Sequence, residues 1–198
     1  MHARRFACFV LGLWLAGGLF MAYVATQNFR GVDRLLARGN PAATSRLRPL
    51  GPEARMILRY EASEMNRWLF STWEITQLVC GTVVFFVMLF GSRESKFVLS
   101  GILLILGLVL FERLVLTPEL VALGRLIDFV PAGTPSPDRQ QFWVVHTAYS
   151  GIEAAKWLFA LVLAGKLIFL SGDRTGRLRH TRRELDGIDK SDYRRVNW

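Results

Sequence analysis

An apolar stretch near the carboxyl end of the sequence contains four side chains that can carry charge or exchange a proton: His146, Tyr149, Glu153 and Lys156. Their spacing of 3, 4 and 3 residues places all four on one face of an α-helix. Side chains of these types can form ion pairs, relay protons or ligate a metal ion. Because ionisable groups are costly at membrane depth, a stripe of them on an apolar helix indicates a structural or functional requirement.

A second polar stripe precedes this one in the chain. Its members recur every three or four residues: Tyr60, Glu64, Arg67, Ser71, Glu74 and Gln77. This spacing also corresponds to one helix face, so the two stripes are predicted to face each other. Glu74 is then predicted to pair with Lys156, and Arg67 with Glu153. Away from water, loss of one partner of such a pair leaves an unpaired charge and is strongly destabilising.

The elements that must position these stripes are long apolar helices. The chain has 198 residues, of which 52% are hydrophobic, and the apolar residues fall in four blocks. Each block is close to the ~20 residues that cross a bilayer as a helix. The predicted spans are residues 6–26, 69–91, 96–116 and 143–171. We therefore predict an all-α polytopic membrane protein, a four-helix bundle that occupies residues 1–172.

A soluble helical bundle would also be rich in apolar residues. However, residues 78–90 and 101–111 are apolar on every helix face. A surface helix of a soluble bundle has a polar face instead. The pattern therefore favours the membrane class.

Helices 2 and 4 are predicted to extend beyond the bilayer. Pro52 and Glu53 are typical of a helix start, and we find no helix break before Gly91, which predicts one helix of about 39 residues. At 1.5 Å per residue this helix is ~58 Å long, so residues 52–68 are predicted to stand outside the membrane.

Shorter segments connect the predicted spans. Thr117-Pro118-Glu119 resembles an N-cap followed by proline and an acid, which predicts a new extramembrane helix over residues 118–130. Residues 40–51 are predicted to form a linker. Residues 173–198 are rich in Lys, Arg and acids, and are predicted to form a basic polar tail.

Counting along the helices places five charges at one depth. Glu74, Glu112 and Lys156 each lie 16 or 17 residues from the end of their predicted span. Glu153 and Arg113 lie close to the same level, about 24–28 Å from the side of the termini. The candidate polar-belt residues are Glu64, Arg67, Glu74, Gln77, Glu112, Arg113, His146, Tyr149, Glu153 and Lys156.

The polar belt has a structural interpretation and several chemical ones. The structural interpretation is that the charges hold helices together where they leave the lipid. Alternatively, the belt could form a path for protons or a small solute, or a metal site drawn from Glu64, Glu74, His146 and Glu153. No cofactor is predicted, and the sequence has no nucleophile elbow, P-loop or zinc signature.

The net charge of +9 has no nucleic-acid motif beside it. Basic residues next to spans more often meet anionic lipid headgroups, so we expect lipid contacts and no nucleic acid. Lys and Arg are nearly equal in number on the two predicted sides of the membrane. Arg4 and Arg5, directly before the first span, favour cytoplasmic termini in a bacterial inner membrane. Cys8 and Cys80 differ in depth along their helices, which predicts two free thiols.

Short motifs resemble a known membrane family. The segment 13–20, followed by Phe29, is similar to the first span of a four-span family of uncharacterised bacterial membrane proteins related to eukaryotic transmembrane protein 205. Leu116-Thr117-Pro118 after span 3, and Phe142 with His146 at the start of span 4, also fit that layout. The resemblance implies four spans and supplies no activity or catalytic residue. The charged segment 52–77 has no counterpart in the family pattern.

These observations lead to two expected functions. The first is a non-catalytic structural or accessory subunit of a larger membrane complex, which binds other integral membrane subunits or further copies of itself. The second is a membrane carrier, or a metal- or cofactor-binding protein, that uses the polar stripes of helices 2 and 4.

Overall fold

The structure of the protein is a computed structural model that describes residues 2–91, 96–131 and 133–169. Regular structure in these ranges is helical throughout, with no strand among the described residues. The all-α prediction is therefore confirmed. The predicted tail, 173–198, and the end of the predicted fourth span lie outside the described residues.

Helix α1 covers His2–Arg38 and ends one residue before Gly39. The following segment was predicted to be a linker, but it contains α2, Pro41–Leu47, and a 3₁₀ turn, Arg48–Leu50. Asn40 explains the extra helix, because its side-chain oxygen accepts a hydrogen bond from the Ala42 backbone N–H at 2.8 Å. The prediction overlooked this cap. Gly51 closes the segment with a φ of 52°, a conformation that glycine tolerates.

Helix α3 is continuous over Pro52–Gly91 and has 40 residues, as predicted. Helix α4 covers Lys96–Phe111, and a π-helical turn follows at Glu112–Leu116. Helix α5 covers Thr117–Ile127. After the loop near residue 133, α6 covers Pro137–Phe169.

Helix α5 begins at Thr117, close to the predicted start, but the predicted N-cap role of Thr117 is wrong. Leu116 keeps a helical backbone, and the Thr117 N–H bonds to the Glu112 carbonyl, so the chain passes from α4 into α5 without a break. Pro118 lacks an N–H and crowds the preceding turn, and the wide π turn directly before it accommodates this residue. The Thr117 hydroxyl bonds to Glu74 on another helix instead of capping its own.

Within the part of the chain that the structure describes, three helical stretches are long and apolar enough to cross a membrane: His2–Arg38, Pro52–Gly91 and Lys96–Ile127. The prediction of a helical membrane protein is confirmed at this level. Helix α6 is of similar length, at 33 residues, but it is not among them. Glu153, Lys156 and Lys166 interrupt its apolar half.

The long helices pack side by side. Helix α1 contacts α3 and α6, and α4 contacts the same two helices. An apolar core fills the end nearest the amino terminus, with Trp14, Met88, Val98, Ile105 and Leu163 among its buried members. The polar residues discussed below lie further along the same helices. Cys8 and Cys80 are both free thiols, as predicted.

Glycine allows close helix contact at several positions among these helices, including Gly18 and Gly81. A Cβ added at Gly18 of α1 would lie 2.6 Å from Nε1 of Trp157 on α6. A Cβ added at Gly81 of α3 would lie 2.6 Å from Cδ2 of Leu106 on α4. Gly12, by contrast, has no neighbouring side chain within 4 Å of this position. Gly18 and Gly81 therefore mark close helix–helix approaches.

Candidate functional site

A group of polar side chains fills the space between α3, the π turn, α5 and α6. We call it the charge network, and its members are Glu74, Gln77, Glu112, Arg113, Thr117, Tyr149, Glu153 and Lys156. Three of its charged side chains, Glu74, Glu112 and Lys156, are 0% exposed. Charged groups are almost never fully buried unless they are paired. The contacts within the network supply those pairs.

Lys156 of α6 is the centre of one half of the network. Its Nζ donates hydrogen bonds to Oε2 of Glu112, to Oε1 of Gln77 at 2.9 Å, and to Oε1 of Glu153 at 2.9 Å. An ammonium group has three donor hydrogens, so each has one acceptor. Gln77 also donates from Nε2 to Glu153 Oε1 at 3.4 Å. Lys156 thus joins α3, the π turn and its own helix.

Glu74 of α3 is the centre of the other half. Its Oε1 accepts hydrogen bonds from the Thr117 hydroxyl and, at 3.4 Å, from the Tyr149 hydroxyl. Its Oε2 lies 3.5 Å from Nη1 of Arg113, an ion pair without a hydrogen bond. Arg113 donates instead to the Ser71 carbonyl at 3.2 Å. This half therefore ties α3 to α5, α6 and the π turn.

The π turn explains why Glu112 and Thr117 both reach the network. A π turn contains one residue more than an α turn, so it changes which side chains face the neighbouring helix. Glu112 is the first residue of the turn and contacts Lys156. Thr117 directly follows the last residue of the turn and contacts Glu74. Such turns are frequent at functional sites.

Both predicted ion pairs are wrong. Lys156 makes its ion pairs with Glu112 and Glu153, not with Glu74. Arg67 does not pair with Glu153. Arg67 lies about two helical turns before Glu74 on α3, and it binds Asp128 instead. Counting residues gave the depth of each charge, but it gave no information on rotation about each helix axis.

Three carboxylate oxygens in the network have no hydrogen-bond partner among the described residues: Glu74 Oε2, Glu112 Oε1 and Glu153 Oε2. The network also contains three acidic side chains and two basic ones. An unpaired buried carboxylate oxygen is costly. The network therefore has the capacity to take up one further positive charge.

A second group, the Arg67 cluster, lies toward the start of α3. Arg67 donates from Nη2 to both carboxylate oxygens of Asp128, at 2.8 and 2.9 Å, and from Nη1 to Glu64 at 2.5 Å. Gly124 of α5 makes room, because a Cβ there would lie 2.9 Å from Nη2 of Arg67. Glu64 and Arg67 were predicted site residues, whereas Asp128 was missed because it lies directly after α5, outside both polar stripes.

Polar contacts also join α1 to the start of α3. Asn28 donates to Oδ1 of the buried Asn66 at 2.6 Å, and Asn66 donates to the Ala25 carbonyl at 3.1 Å. Nearer the helix ends, Arg55 donates to Asp33 at 2.5 Å, and this hydrogen bond lowers the pKa of the Asp33 carboxyl. The sequence spacing did not indicate either asparagine.

His146 does not join the charge network. It is exposed, and its ring lies 5.4 Å from the ring of Trp143 and 5.7 Å from that of Phe142. The predicted metal candidates Glu74, His146 and Glu153 therefore do not meet at one point. Across residues 2–91, 96–131 and 133–169, no three His, Cys, Asp or Glu side chains are grouped as a metal site requires.

Comparison with known proteins adds no relative to this description. No family model, curated protein or solved structure matches the chain. The chemistry of the site therefore has to be inferred from its geometry.

Proposed function

We propose that the protein is a four-span integral membrane protein with a non-catalytic role, as a structural or accessory subunit of a larger membrane assembly. In this proposal α6 is the fourth span beside α1, α3 and α4, in a four-helix bundle. Charged side chains in α6 are unfavourable in a membrane span. However, Lys156 pairs with Glu112 and Glu153, and paired charges can lie within a membrane bundle.

The observation that carries the proposal is the way the buried charges are used. Lys156 and Glu74 each contact three side chains of the bundle, so these charged groups hold helices together. The void between α1, α3 and α4, lined by Trp14 and Gly81, has a volume of about 10 Å³. That volume is at the lower limit for one water molecule, so the helices are closely packed at this point.

The first part of α3 favours an assembly role. Residues 52–68 stand outside the proposed span, yet Ile57, Met65 and Trp68 are about half exposed or more, at 49%, 45% and 62%. Their spacing of 8 and 3 residues places them on one helix face. Apolar side chains that share a face outside the lipid are typical of a contact surface for another protein.

Native mass measurement after extraction in a mild detergent tests this proposal. We expect the protein to leave the membrane as part of a larger particle, with another integral membrane protein or with further copies of itself. The double variant Ile57→Gln/Met65→Gln should release the monomer. Leu50→Gln is the matched control, since Leu50 is 43% exposed but lies outside α3, and it should leave the particle intact. A wild-type protein found only as a monomer would contradict the proposal.

The proposed location is a bacterial inner membrane, with lipid contacts along the spans and both termini in the cytoplasm. Arg4 and Arg5 before α1 support this orientation, because positively charged residues are enriched on the cytoplasmic side. Membership of the four-span family related to transmembrane protein 205 stays a prediction.

A second function, a membrane carrier or a metal- or cofactor-binding protein, is favoured by one observation. Glu112 and Glu153 each have an unpartnered oxygen and contact the same ammonium group, which favours binding of a small cation between them, although no third acid among the described residues is grouped with them. Metal analysis and an optical spectrum of the purified protein test the metal and cofactor versions. A stoichiometric metal or an absorbing group would support them, and a metal-free sample without such a spectrum would contradict them.

A further inference from the structure

We propose that the charge network is a proton-binding site, in which one proton is held by the carboxyl groups of Glu112 and Glu153 beside Lys156. This inference goes beyond the proposed assembly role, because it assigns a ligand to the buried side chains. It rests on the contacts of the network and on its balance of charge.

The first argument is the charge balance. The network contains the acids Glu74, Glu112 and Glu153, and the bases Arg113 and Lys156. Glu74 lies beside Arg113, which leaves two carboxylates around the single ammonium group of Lys156. Away from water, an excess negative charge is strongly disfavoured. One added proton makes this half of the network neutral.

The second argument is the number of hydrogen-bond donors. All three hydrogens of the Lys156 ammonium group have acceptors, on Gln77, Glu112 and Glu153. Oε1 of Glu112 and Oε2 of Glu153 remain without a donor among the described residues, although Glu112 is fully buried. A proton on either carboxyl group converts an unpartnered acceptor into an O–H donor.

The third argument concerns the groups that surround these two carboxyls. Helix α3 presents Glu74 and Gln77, α5 presents Thr117, and α6 presents Tyr149 beside Glu153 and Lys156. The π turn itself contributes Arg113 next to Glu112. The hydroxyls of Thr117 and Tyr149 are already bonded to Glu74, so they are not donors to Glu112. Among the residues that the structure describes, no neighbouring side chain supplies the positive charge that would neutralise the second carboxylate.

Glu153 is the less buried of the two carboxyl groups. Its side chain is 15% exposed, whereas those of Glu112 and Lys156 are 0% exposed. Both carboxylates contact the same ammonium group, so they lie side by side. The proton adds to one carboxylate of the pair to give a neutral carboxyl group, and the free oxygen of each acid, Oε1 of Glu112 and Oε2 of Glu153, is available to hold it. No bond other than O–H forms or breaks.

Infrared spectroscopy of the full-length protein in lipid tests the site. A protonated carboxyl group has a carbonyl stretch that is separate from the bands of ionised carboxylates. We expect a band equivalent to one protonated carboxyl per chain at neutral pH, lost at alkaline pH. Glu112→Gln and Glu153→Gln should each abolish this band, since either change leaves one carboxylate to balance the one ammonium charge of Lys156. Two variants at different helices keep the test valid if one of them fails to fold.

Three outcomes would overturn the proposal. One is a wild-type protein without the band at neutral pH. Another is loss of the band in the control variant Glu119→Gln, because Glu119 is exposed and lies outside the charge network, so this would place the proton elsewhere in the protein. The third is loss of the band when sodium chloride replaces choline chloride, which would mean that the site takes a metal cation. The result does not depend on partners, so it is separate from the test of the assembly role.

Discussion

At the scale of single residues, the most unusual feature is a lysine with no exposed surface. Lys156 is 0% exposed, and each of its three hydrogens meets an oxygen atom. A long, flexible, strongly hydrated side chain is usually at the surface. Here its neighbours replace water as acceptors. The energetic consequence is asymmetric, because removal of Lys156 would leave Glu112 and Glu153 buried without their shared partner.

This asymmetry can be measured with a double-variant cycle. Lys156→Met is expected to lower the free energy of unfolding by about 3–5 kcal/mol, the usual effect of removing one partner of a buried pair. Lys156→Met/Glu112→Gln should recover part of that loss. Lys156→Met/Glu74→Gln should not, because Glu74 bonds to Thr117 and Tyr149. Denaturation in mixed micelles, followed by circular dichroism, measures each variant. Equal recovery in both double variants would contradict the observed pairing.

Thr117 provides a second residue-scale prediction. Thr117→Val keeps the shape of the side chain but removes the hydroxyl that donates to buried Glu74. The expected loss is about 1.5–3 kcal/mol, the usual contribution of a hydrogen bond to a charged group, with the Tyr149 hydroxyl left as the donor to Oε1. Thr76→Val is the matched control, since the Thr76 hydroxyl is exposed and bonds to the Thr72 carbonyl of its own helix. The same denaturation assay should show a change below about 0.5 kcal/mol for the control. Equal losses would argue against the role of Thr117.

At the scale of elements, close contact between helices depends on the position of glycine residues. Gly18 faces the Trp157 ring of the neighbouring helix, whereas Gly12 on the same helix faces open space. The two residues have the same intrinsic conformational freedom. Their contribution to stability should therefore differ only through packing.

Gly18→Ala is expected to destabilise the protein by about 1–3 kcal/mol, because an added Cβ must displace a packed aromatic ring. Gly12→Ala should be neutral or should stabilise by up to about 1 kcal/mol, from the helix preference of alanine. Thermal denaturation of both variants in the same detergent compares them. The opposite order would mean that α1 and α6 do not pack as described.

How far the sequence predicts these elements depends on the kind of information each one needs. Helix ends follow from local residues, so the limits of α3 at Pro52 and Gly91 were predicted correctly. The helix over Pro41–Leu47 also follows from a local signal, the Asn40 cap, but the prolines on either side obscured it. The N-cap predicted at Thr117 was wrong because the same Thr-Pro pair also suits a helix that continues through a π turn.

The candidate site was predictable in depth but not in its contacts. Seven of the ten polar-belt residues contact one another in the charge network, because charges at equal depth on neighbouring helices can meet. The partner of each charge depends on the rotation of every helix about its axis. The π turn shifts that rotation for all residues after Glu112. Asp128 and Asn66 were missed because neither belongs to a stripe of polar residues that the spacing singles out.

At the scale of the whole molecule, apolar and polar side chains are separated along the length of the helices. The apolar core lies toward the amino-terminal end of α1, the charge network lies further along, and the Arg67 cluster lies beyond it. This order follows the predicted passage from the cytoplasmic side, through the bilayer, to the opposite side. The proposed orientation can therefore be tested by the accessibility of the two ends.

Cysteine labelling tests the orientation in intact cells. In a background with Cys8 and Cys80 replaced by serine, Ser45→Cys is expected to react with a reagent that cannot cross the inner membrane. Lys96→Cys is the matched control at the other end of the molecule, and it should react only after the cells are opened. The reverse result would show that the termini lie outside the cytoplasm. Reaction at both positions in intact cells would show that the two residues do not lie on opposite sides of the membrane.

The burial of Lys156 has a consequence for how the chain enters the membrane during synthesis. A lysine or an acid at the centre of a lone helix raises its insertion free energy by about 2.5–3.5 kcal/mol. Helix α6 contains Glu153, Lys156 and Lys166, so it should insert poorly by itself. In the proposed four-span arrangement, α3 and α4 enter the lipid before α6. Helix α3 carries Gln77, and α4 leads into Glu112. We therefore expect α6 to depend on earlier helices for insertion, and a glycosylation-site reporter after α6 should show poorer insertion when Glu112 is replaced by leucine.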